Sequence, residues 1–139
     1  AAARFPIESN NMNIWIPGNI TYTSYDGTDA LGLIAQNDIY FARNIPEDFN
    51  IDAVMMAQTG HIIRHGYFWW CGGTSQSVKD SLTINGSVIS YTKSYWNFGS
   101  SPSSGFVTRT INYDANVLYN PPPYFPTSGE YEFITWKEK

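Results

Sequence analysis

Residues 33–36 read LIAQ, and residues 55–58 read MMAQ, 22 positions further on. A near-repeat in the twenties is the period of stacked β-architectures. The echo widens on inspection. LGLIAQNDIYFA (31–42) is an apolar strand, a polar step and a second strand, and DAVMMAQTGHIIRH (52–65) has the same layout. NGSVISY (85–91) repeats the first strand when Ile89 is matched to Met56 and Ile34, at spacings of 33 and 22. The 11 extra residues fit an insertion, and GYFWWCGGTSQSVKD (66–80) supplies it. Ile111 in RTINYD lies 22 beyond Ile89, and WIPGNITYT (15–23) reads as a worn copy of the unit.

One such unit cannot bury its own inward face, whereas stacked units form continuous side-chain columns about 4.8 Å apart. The expected fold is therefore all-β: a short parallel β-solenoid (β-helix) of about four to five coils. Ile34, Met56 and Ile89 are expected in one inward column, Ile20, Ile39 and Ile62 in another, and Gln36 over Gln58 as an amide ladder. The alternative is an antiparallel β-sandwich, which short strands broken by regular turns also describe. The only helix-like stretch, PEDFNIDAVMMAQ (46–58), has a short apolar run that stops at a Thr-Gly step. NIWI, NITYTSY, SLTI, GSVISYT and YEFITW complete the strand-like segments, rich in β-branched and aromatic residues. The chain of 139 residues reads as a single domain. Residues 1–13 form an N-terminal extension, 66–80 the insertion, and 120–139 a C-terminal cap. In that tail Pro121, Pro122, Pro123 and Pro126 cannot donate ladder hydrogen bonds and stop strand pairing. EYEFITW would then close the edge of the last coil.

Composition narrows the function. Charged residues make up 14% and the net charge is −4. The Lys and Arg are scattered singly, so the positive footprint that nucleic acid or an anionic membrane demands is missing. Asn, Ser, Thr, Gly and Tyr occupy the places where Lys and Glu would otherwise stand, a bias suited to a β-surface outside the cell. One cysteine, Cys71, leaves no intrachain disulfide. No apolar run reaches the roughly 20 residues of a membrane span, and AAARFPIESNN is unlike a signal peptide.

Chemistry-bearing motifs are sparse. His61 and His65 are four apart, but on a strand that spacing is about 13 Å. Surface or edge histidines are the plainer reading. Asp26 and Asp29 around Gly27 read as an Asp-Gly turn rather than a calcium loop. Cys71 in WWCGG has no activating base and reads as a bystander. The 12 carboxylates are dispersed rather than paired. No catalytic, metal or cofactor-binding residue is assigned. The aromatics stand out: Tyr67, Phe68, Trp69 and Trp70 lie in the insertion, and Trp96 lies in SYWNFG. These five are the expected partner-binding residues, as platforms for sugars or anchors for a protein.

VLYNPPPYFPTSGEYEFITWKE (117–138), with LGLIAQNDI (31–39), IDAVMMAQTG (51–60) and LTINGSVIS (82–90), resembles the C-terminal region of uncharacterised bacterial surface proteins. Those carry a pilin-like, PilX-type N-terminal anchor and an exported β-rich head, in Patescibacteria-type genomes. The resemblance covers residues 14–138 and implies an extracellular or cell-surface, pilus-associated head, here without the hydrophobic anchor helix. It carries over no catalytic residue. The expected function is a non-enzymatic structural or adhesive head. Its partners would be other surface or type IV pilus subunits, or a host or glycan surface, with the membrane reached only through such an anchor. A carbohydrate-binding module using the aromatic insertion is the first alternative, and a polysaccharide-active β-helix enzyme the second.

Overall fold

The computed structural model describes residues 12–71, 75–99, 102–123 and 125. Strands β1 (Ile14–Ile16), β3 (Ile39–Phe41) and β5 (Ile62–Arg64) form a three-stranded sheet in that order. Strands β2 (Gly32–Ala35), β4 (Asp48–Ala57), β6 (Val78–Ser90) and β7 (Gly105–Asn112) form a four-stranded sheet in that order. Every pairing between these strands is parallel. Parallel neighbours cannot be joined by a tight hairpin. The chain instead alternates between the two sheets from β1 through β6, so each strand returns beside its predecessor by way of the other sheet. An antiparallel sandwich is thereby excluded. Antiparallel pairing among the described residues is confined to the isolated bridge Phe98–Ser104. A single 3-10 turn (Trp69–Cys71) and the one-turn helix α1 (Asn116–Tyr119) complete the elements.

The register follows the sequence echo, but the face does not. Ile34 pairs with Met56, and Met56 with Ile89, at the spacings that the repeat predicts. Their side chains nevertheless point away from the core, and Ile89 is 42% exposed. The inward column is the neighbouring one, Leu33–Met55–Val88, followed by Ala35–Ala57. The cause is the burial of β4 on both faces: Ile51 through Met55 are all buried. A doubly buried parallel strand carries no alternation to read, and a slip of one residue turns every side chain to the other face. In the three-stranded sheet Ile39 and Ile62 do share an inward column, but Ile14 completes it. Ile20 instead bridges Ile51 beside the other sheet, and apart from that bridge NITYTSY is not a strand. Ile111 pairs with Ile84, not Ile89. Stretch 46–58, the nearest approach to a helix, is mostly β4.

Phe41, Phe49, Ile51, Ile84 and Phe106 have no solvent exposure. Burying one such side chain contributes about 2 kcal/mol. Phe49 stacks parallel to Phe106 at 6.3 Å and meets Phe41 edge-on at 5.3 Å.

SLTI and GSVISYT are one strand, not two. Asn85-Gly86 ordinarily signals a hairpin, yet β6 runs straight through it. Gly86 has φ +143°, and a Cβ there would lie 2.1 Å from the Ala53 carbonyl oxygen. The two strands approach too closely for any side chain. The predicted glutamine ladder is replaced by others. Gln36 Oε1 accepts from the Met12 amide, while Asn37 Nδ2 donates to Asn13 Oδ1. On the four-stranded sheet, Asp52, Asn85 and Asn112 form a bonded row.

The insertion is shorter than expected, because Val78–Asp80 already belong to β6. Of the proline-rich tail, expected as a cap, residues 120–123 and 125 are described. Pro122 is buried, and it and Phe125 pack where the missing side chain of Gly32 leaves room. Gly32 is in β2, at the opposite edge of the sheet from β7. EYEFITW and residues 1–11 lie outside the described residues, as does the side chain of Cys71.

Replacing Gly86 by alanine is expected to cost at least about 2 kcal/mol, from the disfavoured backbone and the clash with β4. Chemical denaturation checks this. An unchanged midpoint would mean that β4 and β6 are not this close.

Candidate functional site

The insertion is held by an arginine that replaces a core residue. In the inward column Ile16–Phe41–Arg64, Arg64 occupies the third position and is fully buried. Its Nη1 donates to the Ser77 carbonyl (2.8 Å), and its Nη2 donates to the carbonyls of Gln76 (2.6 Å) and Arg43 (3.5 Å). The guanidinium lies 4.9 Å from the Tyr67 ring and 5.5 Å from that of Phe106. Its Nε has no partner among the described residues. Burial pulls the Arg64 pKa below its ordinary value. Backbone carbonyls and ring faces thus solvate this cation, with no carboxylate within ion-pair reach among the described residues.

These bonds fix both feet of the loop between β5 and β6. Gln76 adopts φ +70°, a left-handed conformation uncommon for such a residue, with its carbonyl turned to Arg64. Buried Lys79 bonds the Gln76 side chain and pairs with Glu47 at 2.7 Å. At the other foot the Tyr67 amide donates to Ser104 Oγ (2.9 Å), which donates to the Ser77 carbonyl (3.2 Å). Arg43 also lies over the Tyr67 ring, at 5.4 Å.

Between these feet the chain displays its indoles. Trp69 is 74% exposed and Trp70 64%. Trp70 stacks on Phe68 at 4.6 Å and 17°, and Trp69 stands edge-on to Trp70. Phe68 meets Phe98 edge-on, and Phe98 meets Tyr95. The five expected residues therefore divide. Trp69 and Trp70 face solvent, while Phe68 is half-buried beneath them. Tyr67 lies under two guanidinium groups. Trp96 turns inward: its indole N–H donates to the Ile62 carbonyl (2.9 Å), and its ring stacks on core Phe41 at 6.0 Å.

Sequence reasoning missed the rest of this surface. Trp15, Tyr40 and Ile63 occupy one register row across β1, β3 and β5, and Tyr95 bridges Ile63. Trp15, 55% exposed, stacks on Tyr40 at 4.4 Å, and Tyr40 stacks on His65 at 4.9 Å. The register row from β1 thus passes through buried Ile63 to Tyr95, whose ring meets Phe98, and from there ring contacts lead to the indoles. Period-two alternation in NIWI and DIYFA was the available signal.

Asp38 anchors the row from below. It accepts from the Tyr40 hydroxyl (2.7 Å), Asn37 Nδ2 (2.8 Å) and the His61 amide (2.7 Å), with His61 Nδ1 at 3.1 Å. Burial alone would raise its pKa. The His61 amide, the Tyr40 hydroxyl and the His61 ring outweigh that and hold it below the ordinary value of 3.8. Burial and the Asp38 carboxylate push the Tyr40 hydroxyl up to about 12. The two histidines are thus engaged separately, His61 with Asp38 and His65 with Tyr40. Asp26 and Asp29 close a turn: Asp26 Oδ1 accepts from the Thr28 amide and hydroxyl, and Asp29 Oδ2 from the amides of Thr23 and Ser24. Among the described residues no group of three or more His, Cys, Asp or Glu is placed to hold a metal, and no helix is long and apolar enough to cross a membrane. What the surface offers chemically is apolar ring faces, several exposed and already stacked.

The lowered pKa of Asp38 has a defined sign. The folded state binds its proton less readily than the unfolded state, so the stabilisation is complete above the ordinary carboxylate value. It is lost as pH falls through the depressed one. Melting temperatures of the native protein and Asp38→Asn should differ by a constant amount between about pH 7 and 5 and converge below about pH 4. A difference that is constant or widening on acidification would contradict the assignment.

No protein-family model, curated protein or solved structure matches this chain.

Proposed function

We propose that this chain is an exported, non-enzymatic structural or adhesive head, built as a short parallel β-solenoid, that attaches through its aromatic surface. Alternation between two parallel sheets and the 22-residue offset of β2 and β4 support the solenoid reading. Sparse charge and a polar, uncharged surface composition support an extracellular or cell-surface setting. The resemblance of residues 14–138 to pilin-like surface proteins points the same way and makes other surface or pilus subunits candidate partners.

The observation that carries the attachment reading is the exposure of both Trp69 and Trp70 on a loop whose feet are fixed. Large apolar rings left in water cost free energy unless something covers them. Tryptophan supplies contact area at small cost in rotamer entropy, and rings that are already stacked lose little more on binding. Exposed ring faces also favour a second reading, a carbohydrate-binding module, because sugar rings present apolar C–H faces to such platforms.

The test is attachment of beads coated with the domain to immobilised polysaccharides and to protein-coated surfaces, using Trp69→Ala/Trp70→Ala. Attachment should fall at least about tenfold, the effect of losing roughly 1.4 kcal/mol. The melting temperature should move by no more than about 2 °C, as for surface substitutions. Unchanged attachment, or a fall of about 10 °C in melting temperature, would overturn the reading. Loss on polysaccharide alone would select the carbohydrate-binding form.

A further inference from the structure

The four-stranded sheet carries a second feature that the aromatic surface does not use. Asp52, Asn85 and Asn112 share one outward register row across β4, β6 and β7. Asn112 Nδ2 donates to Asn85 Oδ1 (2.8 Å), and Asn85 Nδ2 donates to Asp52 Oδ1 (2.6 Å). Asp52 is fully buried, and its Oδ2 accepts from the Tyr22 amide (2.8 Å) and the Tyr25 hydroxyl (2.7 Å). The carboxylate therefore dictates the orientation of both amides, and the row ends with the Asn112 carbonyl oxygen uncommitted among the described residues.

Beside this end lies a pocket of about 210 Å³. Its walls come from three separate segments: the loop carrying Tyr22, Tyr25 and Asp29, Asn85 in the middle of β6 with Asn112 at the end of β7, and the start of α1 with Asp114 and Asn116. The first and last are tied together. Asn120 Nδ2 donates to the Gly27 carbonyl (3.0 Å), and the Asn116 side chain lies 3.1 Å from where a Gly27 Cβ would stand. Asp29 Oδ2 already accepts two amides and Asp114 Oδ1 accepts the Asn116 amide, which leaves each carboxylate one oxygen without a partner among the described residues. Tyr22, Tyr25 and Tyr113 add ring faces to the lining, and no basic side chain is among the lining residues.

We propose that this pocket binds a single neutral or amine-bearing sugar ring and rejects acidic sugars. Fixed amides, phenols and carboxylates converging on one cavity are the chemistry that recognises vicinal hydroxyls, with ring faces for the apolar side of a pyranose. A pocket of this volume holds many waters, each of which needs only about 10–15 Å³ of such space, and so has room for a single small ring. The sign of the field decides the class: carboxylates without a neighbouring cation attract an ammonium and repel an anion. Burial is the main cause of the raised Tyr22 pKa; the Leu31 backbone bond opposes it, and the carboxylates of Asp114, Asp52 and Asp29 add smaller upward contributions that fit a negative pocket.

Titration of the 15N-labelled chain with the methyl glycosides of glucose, glucosamine and glucuronic acid tests this. A trisaccharide ending in the ring that binds is the fourth probe. The neutral or amine-bearing ring should bind at about millimolar affinity, the scale for a ligand of so few atoms. Shifts should be confined to residues 22–29, 85 and 112–116. Asn112→Ala should weaken binding about tenfold, while Trp69→Ala/Trp70→Ala leaves it unchanged, which separates this site from the aromatic surface. Trisaccharide binding at least as tight as the monosaccharide's assigns the end of a glycan as the ligand, and weaker binding assigns a free sugar. No shift with any probe at about 50 mM, shifts centred on the indoles, or equal binding of the glucuronide would overturn the proposal.

Discussion

The parallel pairing of β4 with β2 on one side and β6 on the other is the constraint on which the rest of the structure depends. β4 is buried on both faces from Ile51 to Met55, so that stretch cannot shift without moving packed side chains. Its inward residues Phe49, Ile51, Ala53, Met55 and Ala57 meet the core. Its outward residues meet covering loops, and Asp52 there serves as the acceptor that fixes the Tyr22 and Tyr25 segment. A hydrophobic column and a polar row thus share one strand. The parallel register places like beside like on each face: Ile51 beside Ile84, and Asp52 beside Asn85.

The same register explains why the insertion can present rings. Once β5 lies on β3, Arg64 falls beneath the loop in a column otherwise built from Ile16 and Phe41. An arginine there would be costly if its donors met only apolar atoms. It instead collects the carbonyls of Arg43, Gln76 and Ser77, the groups that a chain leaving a sheet would otherwise strand. Desolvation of the cation and satisfaction of the loop backbone offset one another, and Trp69 and Trp70 are left outside.

Much of the architecture was legible in the sequence because parallel stacking copies itself at a fixed interval. LIAQ over MMAQ gave the pairing of β2 with β4, and Ile89 under Met56 gave that of β4 with β6. The inward face was not legible, because AVMM contains no alternation. Asn85-Gly86 misled as a break, since the same dipeptide serves a tight turn and a close approach of two backbones. Of the site, the exposed indoles were legible as aromatics that fall off the repeat. Trp96 was not separable from them, because its inward direction follows from the bridge of Tyr95 with Ile63, a pairing that the local sequence does not reveal. The row through Trp15 and Tyr40 depended on knowing which strands were adjacent. The pocket beside Asn112 depended on three segments separated by up to about ninety residues along the chain, as in the bond between Asn120 and Gly27.

Interstrand nuclear Overhauser contacts between backbone protons of β2, β4 and β6 test the central claim most directly. The account predicts contacts linking Ile34 to Met56 and Met56 to Ile89 in parallel register, with β6 continuous through Asn85 and Gly86. Contacts between residues 83–84 and 87–88 across a hairpin at Asn85-Gly86, or antiparallel contacts between β4 and β6, would contradict it.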